Sequence, residues 1–235
     1  MATRVYDLPT RILHWLFAGS FITAFTIANT VDDDAVAFSF HMLAGLMLCF
    51  SVLLRLLWGI IGSKHARFSD FSLQPAALKV YLSGVFSAQS RLWHGHNPAS
   101  SWAAVTMFIL AIGLGLTGYL MVSAGRDSVK DLHELFANAF IIVVLLHLAG
   151  IVLHQLKHKD GLGKSMITGE KPLPEATAPV KVHKLAGISV LVLTLGFASY
   201  LLTNFDSQSR TLNLFGSALH LAEADEHKGS QHDDD

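Results

Sequence analysis

Charge is what this 235-residue chain has least of. Asp, Glu, Lys and Arg make up 15% of it, against about 25% in soluble domains. With 51% hydrophobic residues and a mean hydropathy of +0.44, the composition excludes an ordinary soluble domain and indicates an integral membrane protein. The formal net charge is −1, so there is no global basic footprint for nucleic acid. Cysteine is almost absent. The single Cys49 sits inside an apolar stretch and cannot form an intrachain disulfide. No Cys-x-x-Cys-His occurs, which excludes covalent attachment of a c-type haem. No internal repeat is visible.

What is plentiful is apolar length and histidine. Five stretches are long enough to cross about 30 Å of hydrocarbon, near Ile12–Thr30, Phe38–Ile61, Ser101–Val122, Leu132–His154 and His183–Thr203. The first has an apolar part longer than the core of a secretory signal, so an uncleaved helix is expected. The expected fold is all-α and transmembrane: a four-helix bundle over residues 1–171, then a linker, a fifth C-terminal transmembrane helix and an acidic tail over residues 172–235. If the N-terminus is cytoplasmic, 13 of the 17 Lys and Arg residues fall inside, and only Arg126, Lys130, Arg210 and Lys228 fall outside. That bias predicts a multi-pass protein of a bacterial inner membrane with a cytoplasmic N-terminus and a periplasmic C-terminus.

Between the second and third stretches, Phe71, Leu73, Leu78, Val80, Tyr81, Leu82 and Phe86 suggest a short amphipathic piece at the cytoplasmic interface. Pro172, Pro174 and Pro179 mark a linker. Leu212, Leu214, Phe215, Leu219 and Leu221 suggest a short amphipathic helix in the tail, which ends in Asp233-Asp234-Asp235.

Four of the 13 histidines lie within apolar helices at spaced depths. His133 and His147 are fourteen residues apart on one stretch, so about 21 Å apart in depth and only about 40° off one face. Under the assumed topology His14 is at the cytoplasmic end of the first helix and His41 at the periplasmic end of the second. The depths pair His14 with His147 and His41 with His133. Ionisable side chains in hydrocarbon are costly and mark function. Paired imidazoles suit iron and leave no open position, so two non-covalent bis-histidine haem b groups are expected. Zinc would need its ligands clustered.

Arg55, fourteen residues after His41, is a candidate partner for a haem propionate, and Arg11, one turn before His14, is a second. Gly45, Gly113, Gly115, Gly118 and Gly150 would admit a flat macrocycle or let helices pack closely. His154, seven residues past His147, is a candidate proton-exchanging partner of a quinone. By position His94, His96 and His158 read as surface residues and His183 as interfacial. His220, His227 and His232 lie on the tail and carry no assigned role.

These residues carry a family resemblance. Tyr6-Asp7-Leu8-Pro9-Thr10-Arg11-Ile12-Leu13-His14-Trp15 resembles the opening of the bacterial cytochrome b561 and nickel-iron hydrogenase cytochrome b family. Gly95-His96-Asn97-Pro98, His133-Glu134-Leu135-Phe136-Ala137-Asn138, Leu146-His147 and Met166-Ile167-Thr168-Gly169 resemble later parts of its pattern. The resemblance covers roughly residues 4–171. It implies a di-haem membrane cytochrome b, the same four ligands, and electron exchange with quinone. By similarity to the family's superoxide oxidase, it places His154 at a quinone site. The fifth helix and acidic tail depart from the minimal form.

The expected function is therefore a conduit carrying electrons between a periplasmic partner, such as a c-type cytochrome or an oxidoreductase, and the quinone pool. Whether it is an electron-transfer subunit or a quinone-linked oxidoreductase is left open. One rival is a superoxide oxidase, which the acidic Asp32-Asp33-Asp34 run beside the periplasmic pair disfavours. The other is a non-redox membrane scaffold or metal carrier.

Overall fold

The computed structural model describes residues 2–85, 95–124, 129–159, 161–172 and 178–221. Strand β1 (Ala2–Arg4) leads into helix α1 (Leu8–Thr30), and a 3-10 turn at Val36–Phe38 opens α2 (Ser39–Ile61). A second 3-10 turn (Phe68–Asp70) precedes α3 (Pro75–Val85). Helices α4 (Pro98–Ala124), α5 (Lys130–His158) and α6 (Leu162–Thr168) and strand β2 (Glu170–Pro172) follow. Helix α7 (Lys184–Thr203) and strands β3 (Phe205–Asp206), β4 (Thr211–Leu214) and β5 (Ser217–His220) complete the described chain.

Five of these helices, α1, α2, α4, α5 and α7, are long and apolar enough to cross a membrane. Their ends match the sequence expectation to within four residues. α1 packs on α2, α4 on α5 and α2 on α4, and α7 lies outside this bundle against α1 and α2. The expected interfacial piece is α3, which keeps Val80 and Leu82 exposed. Phe86, Arg91, His94, Arg126, Pro174 and the tail residues His227, Lys228, His232 and Asp233–Asp235 lie outside the described residues.

Local chemistry explains the helix starts. Asp7 caps α1 by accepting from the Thr10 amide (2.9 Å), with Pro9 in the first turn. The same buried carboxylate accepts from Trp58 Nε1 at 3.1 Å, which ties the end of α2 to the start of α1. Asn97 caps α4 through its Oδ1, which accepts from the Ser100 amide (2.8 Å), and Pro98 follows at the first helical position.

The chain then closes on itself. β1 pairs antiparallel with β2, Arg4 opposite Glu170, and the Val5 and Tyr6 amides both donate to the Gly169 carbonyl. Gly169 has φ 84°, and a Cβ there would lie 2.7 Å from the Tyr6 carbonyl, so the position requires glycine. Part of the expected linker lies among the described residues. Pro172 ends a strand, and residues 178–182 run along the start of the chain, with Val180 donating to the Arg4 carbonyl.

The amphipathic helix expected in the tail is not there. β3, β4 and β5 form a three-stranded antiparallel sheet, with Leu214 opposite Ser217. The leucines alternate: Leu212, Leu219 and Leu221 are buried against Leu43 and Leu201, while Asn213, Ala218 and His220 point outward. That is the two-residue period of a strand. Phe215 (φ 50°) and Gly216 (φ 89°) form the two-residue turn, both in the left-handed region that this hairpin type demands.

Candidate functional site

Two ends of the bundle are distinguished here by position alone: the near end, which carries the start of α1, and the far end. At the far end His41 of α2 and His133 of α5 face each other with ring centroids 6.2 Å apart and planes at 71°. That separation leaves room for a metal ion bonded to a nitrogen of each ring at about 2 Å. The second nitrogen of each ring is held. His41 Nδ1 donates to the Ala24 carbonyl of α1 at 2.8 Å. His133 Nδ1 lies 2.8 Å from Thr117 Oγ1, and that hydroxyl donates its own proton to the Gly113 carbonyl, also at 2.8 Å. The hydroxyl must therefore accept from His133, which fixes the proton on Nδ1 and leaves Nε2 free as a ligand.

At the near end His14 of α1 interacts electrostatically with His147 of α5 and with Arg55 of α2. His14, Arg55 and His96 line one cavity together with Thr10, Ala104 and Phe108. Arg55 is 7% exposed, donates through Nη2 to the Ala66 carbonyl (2.9 Å) and lies over the Phe68 and Phe108 rings. Three buried polar atoms of this cavity have no hydrogen-bond partner: Thr10 Oγ1, Arg55 Nη1 and His96 Nδ1. Buried donors of this kind are costly to leave unmade. Hydroxyl, guanidinium and imidazole together suit an anionic, acceptor-rich group such as a haem propionate. The residues present fit haem at both ends.

The two ends are one pattern repeated along the helices. His14 and Phe21, His41, Leu48 and Arg55, and His133, Phe140 and His147 recur every seven residues, which is about 10.5 Å of helix. Midway lies a packed layer of Phe21, Leu48, Ala111 and Phe140, with Phe21 stacked on Phe140 at 4.1 Å. α4 keeps the same period with small residues. Ala104 sits at the His14 cavity, and a Cβ at Gly118 would meet His133 Cε1 at 3.5 Å. Gly113 and Gly115 instead admit Phe136 and Cys49, so those two are packing glycines. Gly45, one turn past His41, and Gly150 face open space.

Other expectations divide. Arg11 donates to the Ile167 carbonyl, and Trp15 Nε1 donates to the Met166 carbonyl at 3.0 Å, so both fasten α6 to α1. Arg11 Nε remains buried and unpaired. His154 is 5% exposed, hydrogen-bonded through Nδ1 to the Tyr81 hydroxyl of α3 (3.3 Å), with its ring 4.4 Å from that of His158.

His96 corrects the sequence expectation of a surface residue. It sits edge-on to Tyr6 (5.5 Å) and against Phe71 (4.8 Å), inside the His14 cavity. Enclosure by the protein pushes its imidazole down to about 3, aided by the Arg55 and Lys171 charges and by His65 and His14. Its burial depends on Tyr6, just after β1, and Phe71, just after the Phe68–Asp70 turn, folding against it. The sequence signal that could have found it was its place in Gly95-His96-Asn97-Pro98.

Five apolar helices and histidines paired across α1, α2 and α5 at two depths define a class, the multi-pass membrane b-type cytochromes, which bind haem b. Within that class the chain belongs to the prokaryotic cytochrome b561 family, whose family model matches residues 5–169. Among curated proteins it is similar to the probable Ni/Fe-hydrogenase B-type cytochrome subunit of Bradyrhizobium diazoefficiens, at 25% identity over 71% of this chain and 85% of that protein. The subunit of that name from Rhizobium leguminosarum bv. viciae is 26% identical over 71% and 87%. The probable Ni/Fe-hydrogenase 1 B-type cytochrome subunit of Escherichia coli K12 is 24% identical over 51% and 60%. No solved structure matches.

Proposed function

We propose that this cytochrome is a transmembrane electron conduit with two haem b groups, one held by His41 and His133 and the other by His14 and His147. It would link a periplasmic oxidoreductase or c-type cytochrome to the quinone pool. Residues 1–171 form the di-haem unit, and the near end lies at the cytoplasmic face of a bacterial inner membrane, as the distribution of Lys and Arg indicates. The observation that carries the reading is the far-end pair, two imidazoles at ligation distance with both Nδ1 atoms engaged. Bound haem supplies reversible one-electron chemistry, while the protein supplies ligation, spacing and charge.

Arg55 and Thr10 would hold a near-end propionate, and Arg11 is a weaker candidate because it does not line that cavity. The apolar layer of Phe21 and Phe140 keeps the interval between the pairs dry and rigid.

On the quinone side, His154 is engaged by Tyr81, and one residue further along α5 a cleft of about 340 Å³ opens between Ile151, Gln155, Leu156 and Lys164. Gln155 Oε1 is buried there with no hydrogen-bond partner. It offers an acceptor for a quinol hydroxyl beside apolar walls, and His154 is the neighbouring imidazole on the same helix. The hydrogenase named in the relatives supports an oxidoreductase as the periplasmic partner.

Anaerobic optical titration of the purified protein with a quinol, with haem quantified in the same sample, tests this reading. Two b haems per chain that reduce with quinol support it. One haem or none would overturn the pairing, and two haems inert to quinol and quinone would overturn the quinone link.

A further inference from the structure

The sheet that follows α7 folds back toward the membrane instead of away from it. Tyr200 lies three residues before the last residue of α7, so about 4.5 Å inside the helix end. Its hydroxyl accepts from the Phe215 amide (2.7 Å) and donates to the Asn213 carbonyl (3.3 Å). The tip of the β4–β5 hairpin is thus level with the last turn of a membrane-spanning helix.

The tip is also the least water-adapted part of the sheet. From Leu212 to Leu219 the sequence Leu-Asn-Leu-Phe-Gly-Ser-Ala-Leu carries no charge, while Asp206 and Arg210 sit at the opposite end of the hairpin. Phe215 is 78% exposed, although its ring is stacked on Tyr200 at 5.3 Å and 17°. That stack continues inward through Phe197 to Phe50 of α2. A two-residue turn of this kind favours Asn-Gly, and a bulky residue at φ 50° is an outlier. The turn itself does not call for phenylalanine.

We infer that the Phe215–Gly216 tip docks onto lipid, seated at the headgroup–acyl boundary of the far-end leaflet, as an interfacial anchor for the sheet. An uncharged aromatic tip at the depth of the final helical turn, on the face of α7 that carries Tyr200 and, seven residues earlier, the exposed Leu193, is what that boundary selects. The anchor holds the sheet down beside Met42 and Leu43, next to the ligand His41.

The test uses the full-length haem-loaded protein in phosphatidylethanolamine–phosphatidylglycerol nanodiscs. A nitroxide is attached at Phe215→Cys or, as control, at Ser209→Cys, both in a Cys49→Ser background. Collision with oxygen, which partitions into lipid, is compared with collision with a water-soluble nickel chelate. Oxygen should dominate at position 215 by several-fold and the chelate at position 209. Dominance of the chelate at 215 would overturn the inference, as would shielding from both probes, which means a protein covers the tip. If the Cys49→Ser background does not fold, a benzophenone amino acid at position 215 of the otherwise unaltered chain replaces it. Phospholipid adducts support the inference, and adducts only to protein, including a second copy of this chain, overturn it.

Discussion

The two ends of the bundle hold histidine pairs by different means. At the far end the rings are fixed by neutral hydrogen bonds, His41 to the Ala24 carbonyl and His133 to Thr117. At the near end no hydrogen bond to a ring nitrogen of His14 or His147 is found among the described residues. There the surroundings are cationic instead, with Arg55 in the cavity and Lys171, 1% exposed, beside Tyr6. Placement by ligand tautomer and placement by charge have different consequences. A tautomer lock sets the strength and orientation of the iron bond. A fixed positive charge favours the reduced state and raises the potential of the haem beside it. On the proposed two-haem reading, the near-end haem should therefore be the higher-potential one.

The largest effects come from removing a ligand. His133→Ala should leave one haem per chain, the near-end one, and His147→Ala should leave the far-end one, measured as haem per polypeptide with the spectrum of the survivor. Identical surviving spectra would erase the distinction between the ends. Next, Arg55→Gln should lower the midpoint potential of the near-end haem by on the order of 50 mV, for a charge lost at an effective dielectric near 20. The far-end haem should not move in the same redox titration.

A smaller effect is expected of Thr117→Val, which keeps the volume and removes the acceptor for His133 Nδ1–H. Second-shell losses of this kind weaken metal affinity by roughly 10-fold or more. Haem retention during dilution should drop at the far end only. A further effect is a pH dependence. His96 is held at about 3 against an ordinary 6.5. Between those values the unfolded chain binds the proton and the folded one does not. Stability is therefore full above pH 6.5 and declines as pH falls toward 3. His96→Gln should flatten that acid limb in thermal melts, and an unchanged limb would remove His96 as its source.

Much of this contrast was readable before any coordinates. The spans follow from apolar length, and the two-level placement of the four histidines from helical geometry, which turns a fourteen-residue interval into two depths. Gly118 and Ala104 were harder, since a small residue in a transmembrane helix reads as packing whether it faces a cofactor or another helix. The sheet after α7 was misread because four leucines in ten residues fit a helical face as well as a strand. Only the positive φ values at Phe215 and Gly216 decide between them, and Phe-Gly is not a turn signal that composition reveals. His96 escaped because its enclosure is made by segments distant in sequence, Tyr6 on one side and Phe71 on the other.

The pairing of β1 with β2 has a bearing on biogenesis. Arg4 and Glu170 form an ion pair at 3.2 Å across 166 residues of chain, so the strand that leads into Tyr6, which packs edge-on against His96, finds its mate only after the six helices α1 to α6 have been synthesised. His41 and His133 need no such closure, because every group that orients them lies on α1, α2, α4 and α5. The far-end pair can therefore be assembled first, and the near end closes only when Gly169 reaches Tyr6. On the two-haem reading, the near-end cavity would be the last to be enclosed, and a haem there would have to be in place before β1 pairs with β2.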